Sequence, residues 1–210
     1  MDVKGQEVSK SRVAVLGLLA DLHREPIQYD LNLLRRLVKT IQPDLLCAEI
    51  HPDDWQIGDL SKAAPEYKGT LVPLSRRTGI VIVPVSGSND RGHIVPRGGS
   101  LLGVRGFIVR RLNGLQRFLQ RFAKGPDDVN SGVFDTICDG MCAVNIRVSG
   151  VETQHVWDDA NRAIVNNVLE AVRRDPGRRV LVTVDCRRRR WLMNQLMTVP
   201  EIELVDYREL

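Results

Sequence analysis

Arg12 to Leu19 reads RVAVLGLL and Asp44 to Ile50 reads DLLCAEI, two short apolar runs joined by one helical stretch. Continuous runs of this length suit strands buried on both faces, because neither face is left to water. Between them Leu31, Leu34, Leu37, Val38 and Ile41 recur at helical spacing. Asp30 supplies an N-cap and Pro43 shuts the helix off. Strand, helix and strand then form a unit suited to a right-handed parallel crossover.

The same alternation continues outward. Glu66 to Thr78 predicts a helix opened by Pro65 and closed by Gly79. Ile80 to Val85 (IVIVPV) predicts a third strand, with Pro84 suited to its end. Trp157 to Arg174 carries a stripe of Ala160, Ile164, Val168 and Val172, broken at Pro176-Gly177. Arg179 to Val184 (RVLVTV) follows as a fourth strand, then a short helix around Trp191 to Met197 and an edge strand at Glu203 to Val205. The expected fold is α/β: a three-layer, mainly parallel sheet flanked by helices. At 210 residues, positions 1–210 read as one domain.

Residues 100–147 depart from the alternation and read as a helical insertion. Val104, Phe107, Ile108, Leu112, Leu115, Phe118, Leu119 and Phe122 fall at helical spacing, with Arg105, Arg110, Arg111, Arg117, Arg121 and Lys124 between them and no acidic residue. Such a helix could lie on an anionic membrane, cover a site, or pack on its own domain or across a homo-oligomer interface. A second helix is expected from Val133 to Val144.

Composition excludes several classes. A hydrophobic fraction of 43% with 27% charged residues is that of an ordinary globular chain rather than a disordered one. The longest apolar run, Val13 to Ala20, is far short of the roughly 20 residues a spanning helix needs, and Met1 to Arg12 has no apolar core of a secretion signal. Cytoplasmic residence is the expectation. There, Cys47, Cys138, Cys142 and Cys186 would be reduced, reading as buried thiols in preference to a metal pair at Cys138 and Cys142. A net charge of +4 does not by itself demand a polyanionic partner.

In open parallel sheets ligands gather beyond the carboxyl ends of the strands. Past the first predicted strand come Asp21, His23 and Glu25. Glu49 ends the second, with His51, Asp53 and Asp54 following. Ser86, Ser88, Asp90 and His93 follow the third, and Asp185, Cys186 and Arg188 the fourth. Imidazole and carboxylate are the usual ligands of a catalytic zinc or manganese, which would activate water for hydrolysis. Read as neighbours, the first two strands would bring His23 to Glu49. Glu49 carries most weight, since a carboxylate directly after a buried run needs a cation or several donors. Loop or capping roles are the alternative for each histidine.

At these residues the chain resembles the TraB/Tiki-type superfamily, which includes ChaN-like and erythromycin-esterase-like proteins. Val13 to His23 (VAVLGLLADLH) is similar to the family's opening strand and glycine–histidine motif, and Pro43 to Glu49 (PDLLCAE) to its strand ending in glutamate. Trp157 to Arg162 (WDDANR) looks like the family's helix with Asn and Arg near its start. Arg179 to Leu210, with Trp191-Leu192 and Glu203 to Asp206, follows its closing layout. The resemblance covers about half the chain and implies a metal-dependent hydrolase or peptidase acting on a small-molecule or peptide substrate. It implies Glu49 and His23 as the catalytic and metal-binding pair; His51, just past the second strand, is a further candidate metal ligand, and Arg188 and Arg162 are candidate ligand-contacting residues. The chain also departs from the pattern: Gly17 lies six residues before His23, Asp185 stands where glycine is expected, and Arg188 stands where histidine is expected. A guanidinium has no lone pair for a metal. Arg188 would instead neutralise Glu49 or hold an anionic ligand or protein partner. Arg187 to Arg190 could grip nucleic acid, but a solvated helix start with one or two structural arginines is preferred.

Overall fold

Side chains alternate along each strand and sort the core into two layers. The computed structural model describes residues 9–87 and 103–210. Strand β1 (Ser11–Leu18) leads through a short helical turn at Ala20–Arg24 to α1 (Leu31–Ile41), then β2 (Leu45–Ala48) and α2 (Pro52–Ile57). A π-helical turn, Tyr67–Leu71, runs into α3 (Val72–Thr78) and β3 (Val81–Pro84). The middle of the chain holds α4 (Gly103–Arg121), α5 (Pro126–Val129) and α6 (Gly132–Ser149). It is followed by α7 (Val151–Arg174), β4 (Arg179–Asp185), α8 (Cys186–Leu196) and β5 (Ile202–Leu204).

All strand pairings are parallel, in the order β3-β2-β4-β1-β5. Ala14, Leu16, Leu18, Leu46, Ala48 and Leu181 face one layer, where they meet Leu34 and Val38 of α1 with Leu71 and Val72. Val13, Val15, Leu45, Cys47, Val180, Val182 and Val184 face the other, against Ile164 and Val168 of α7 and Leu192 and Leu196 of α8. This is the expected three-layer α/β sheet, with helices on both faces. Among the described residues, no helix is long and apolar enough to cross a membrane.

Local signals act where the sequence places them. Asp30 accepts the Leu33 N–H at 2.8 Å and caps α1. Gly79 ends α3 in the left-handed region at φ 74°, where glycine carries no Cβ penalty. Pro84 closes β3, an edge strand of the sheet, where a missing N–H costs no central hydrogen bond.

Two expectations are corrected. The first two strands are not neighbours: β4 lies between β1 and β2, pairing with β1 over Arg12–Leu18 and with β2 over Leu45–Ala48. The apolar stripe of α4 does not pack on the domain either. Its buried positions include Gly106, Val109, Gln116 and Gln120, whereas Phe107, Phe118 and Phe122 are 52%, 55% and 64% exposed. The reason is what lies beneath. Here α4 lies against α6 and over the polar carboxyl ends of strands, rather than on an apolar sheet face.

Gly17 is explained by close packing. A Cβ there would come within 3.1 Å of both Arg189 Cδ and Cys186 Cα, because α8 starts directly against β1. Gly17→Ala is expected to cost about 1–3 kcal/mol by overpacking, read from urea denaturation.

Candidate functional site

The fourth strand carries the residues that organise the site. Helix α8 begins with no loop after β4, so Asp185 is at once the strand's last residue and the helix's N-cap, accepting the Arg187 N–H at 2.9 Å. Its carboxylate also takes the Arg187 guanidinium, with Nε at 2.8 Å. Burial works against the charged form of Asp185, but the charge and hydrogen bonds of Arg187 outweigh it and hold the carboxyl below its ordinary range. Asp185 thus provides both a cap and an arginine clamp.

Arg188 meets Glu49. Its Nε lies 2.9 Å from Glu49 Oε1, and the other carboxylate oxygen accepts the Asp185 N–H at 2.7 Å. The Arg188 guanidinium donates to Asn161 Oδ1 and stacks 4.5 Å over the Trp157 ring. Asn161 is fully buried and the Arg188 side chain is 5% exposed. The cation that Glu49 was expected to need is therefore a guanidinium from α8, the helix that follows the neighbouring strand β4.

His23 goes elsewhere. Its ring is buried, with Nδ1 3.4 Å from Glu66 Oε2 and its edge against Tyr29. Glu66 is itself 1% exposed and accepts the Ala20 N–H at 3.1 Å through its other oxygen. Tyr67 feels both the Glu49 and the Glu66 carboxylates and donates its hydroxyl to the Thr183 carbonyl at 2.8 Å. Burial first, and then Glu49 and Glu66, push its phenol well above the ordinary value. Strand spacing gives the reason for the separation. Two positions apart in a sheet means roughly 9–10 Å between strand axes, and each side chain has a nearer partner, Glu66 for His23 and Arg188 for Glu49.

His51 Nδ1 accepts the Asp53 N–H at 3.2 Å and so caps α2. Arg162 is exposed and pairs with Asp159. Among the described residues, no three His, Cys, Asp or Glu side chains converge to hold a metal ion. Ser88, Asp90 and His93 lie outside the described residues. Cys47, Cys138, Cys142 and Cys186 are free and buried; burial pushes the Cys47 and Cys142 thiols up to about 12, which leaves them little nucleophilic character.

Two side chains of these pairs were not named as site residues from the sequence, Asn161 appearing there only within the Trp157–Arg162 motif. Asn161 had a usable signal: it sits four residues after Trp157 and three before Ile164, on the buried arc of α7, where Arg162 does not. Glu66 had none. The π-helical turn that follows it alters the helical period, so spacing does not betray an inward carboxylate.

Beside these pairs, over the ends of β1 and β4, a cleft of about 210 Å³ lies under α4. Asp21 and Arg187 line it with Asn113, Gln116, Arg117 and Gln120. Asn113 accepts from Asn145 at 2.7 Å, and Gln120 donates to the Cys186 sulfur at 3.2 Å. Gln116, only 6% exposed, has no partner for its Nε2 among the described residues. A larger hollow of about 530 Å³ lies at the opposite, amino-terminal ends of β2 and β3, away from where loops and α8 converge.

Compared with family models, curated proteins and solved structures, the chain matches none.

Proposed function

We propose that this protein binds a small oxygen-rich molecule, such as a carboxylate or phosphate ester, in the cleft beneath α4. The observation that carries the reading is Gln116. A buried amide without a partner costs about 1–3 kcal/mol, and its position in a cleft at the carboxyl ends of parallel strands suits a ligand acceptor. Arg187 and Arg117 add positive charge at the walls, each balanced by an acidic neighbour. Glu49 and Arg188 support the cleft as a neutralised pair next to it.

Gln116→Leu separates this reading from a structural one. The substitution removes the unpaired amide at similar volume, so the protein should be as stable as the wild type, or more stable by about 1 kcal/mol. It should also lose the rise in melting temperature that inorganic phosphate, citrate or a sugar phosphate gives the wild type. Equal stabilisation of both proteins by every one of these, or of neither, would refute the assignment.

A hydrolase is the second reading, favoured by one observation. His23 faces a buried carboxylate through Nδ1, and its Nε2 has no partner among the described residues, as in an imidazole oriented to handle a proton. Ester hydrolysis by the wild type that disappears in His23→Ala would support it over binding alone.

A further inference from the structure

The outward face of α4 has no role in the cleft. Val104, Phe107, Leu115, Phe118 and Phe122 are 75%, 52%, 51%, 55% and 64% exposed. They share one side of the helix, opposite the buried Gly106, Val109, Gln116 and Gln120. Phe118 and Phe122 pack edge to face at 4.8 Å, and Arg111 lies 5.1 Å over the Phe107 ring in the midst of the stripe. Arg105, Arg110, Arg117, Arg121 and Lys124 are exposed too, and residues 103–124 contain no acidic side chain. Glu25 pairs with Arg117 and Arg121 and offsets one charge, leaving the helix strongly positive.

We propose that this face docks on an anionic lipid bilayer, with the aromatic and aliphatic stripe seated among the headgroups and the arginines on lipid phosphates and carboxylates. Charge complementarity selects this occupant. A helix lying in the membrane interface needs bulky apolar side chains on one side and cations at its borders, and α4 has both. A second copy of the chain would set arginines against arginines across an isologous contact. Nucleic acid would meet the cations but leave the aliphatic Val104 and Leu115 without a partner. The helix is already held to the domain through its polar side, so docking would not require the core to open.

Co-sedimentation with vesicles tests the proposal. Wild-type protein should pellet with phosphatidylcholine–phosphatidylserine vesicles and remain in solution with phosphatidylcholine alone, binding the mixture less as salt rises. Phe118→Ser with Phe122→Ser should weaken binding by about tenfold or more at unchanged melting temperature, since both rings are exposed. Arg105→Ala with Arg111→Ala should weaken it and flatten the salt dependence. Failure to pellet with the anionic vesicles, or equal binding to neutral ones, overturns the proposal. So does a dimer in light scattering that the Phe118→Ser, Phe122→Ser variant abolishes, or retention on duplex DNA or RNA in place of vesicles.

Discussion

Arg188→Met is expected to destabilise the protein by about 3–5 kcal/mol, because it takes the Arg188 guanidinium from Glu49, whose side chain is only 16% exposed. The carboxylate would keep the Asp185 N–H at 2.7 Å, but a neutral donor does not replace a guanidinium. Stability should return in large part when Glu49→Gln is added, since the double variant buries no net charge. That recovery identifies the pair itself: loss of Arg188 packing on Trp157 alone would leave the double variant as weak as Arg188→Met. Urea denaturation of the four proteins in the cycle gives the coupling. A loss below about 1 kcal/mol for Arg188→Met, the range of an exposed pair, would show that Glu49 has another source of charge.

Arg189→Met should have a comparable effect with a distinctive pH dependence. The Arg189 guanidinium donates to the Val15 carbonyl at 3.0 Å and pairs with Asp135 of α6, so it ties the central sheet to the helical middle of the chain. Asp135 is 6% exposed, and burial raises its carboxyl above the ordinary value even with the guanidinium present. Removing the cation would raise it further. A carboxyl raised in the folded state favours folding only while it is protonated. The penalty in Arg189→Met is therefore absent at pH values below the ordinary carboxylate range. It grows as pH rises toward the folded-state value and is then constant. The gap between wild type and variant should be small near pH 4 and reach about 3–5 kcal/mol near pH 8. Asp135→Asn in the same background should flatten it. A gap independent of pH would mean that packing, not charge, is what Arg189 supplies.

The two arginines also show why a run of four cations is hard to read. Arg187 to Arg190 occupy the first turn of α8, where a helix start disfavours positive charge. Each of the first three has its own carboxylate, in Asp185, Glu49 and Asp135. Those acids come from three different elements of the fold. A charge run looks solvated in sequence because its partners are distant along the chain. In space Arg188 and Arg189 are structural, and Arg187 reaches the cleft wall.

The chain's own pattern determined what depends on near neighbours. The apolar runs at Val13–Leu19 and Leu45–Ala48 specify strands buried on two faces, and the stripe from Trp157 to Val172 specifies the buried side of α7. Asp30, Gly79 and Pro84 set ends within a single turn. Tertiary packing decided the rest. The place of β4 between β1 and β2 depends on which buried strand finds which partner, an encounter across more than a hundred residues that no local period encodes. That one insertion parted His23 from Glu49 and gave the carboxylate to Arg188. The inverted facing of α4 has the same origin: a helix turns toward whatever lies beneath it, and here the side with Gln116 and Gln120 turned inward over α6 and the strand ends and left the phenylalanines outside.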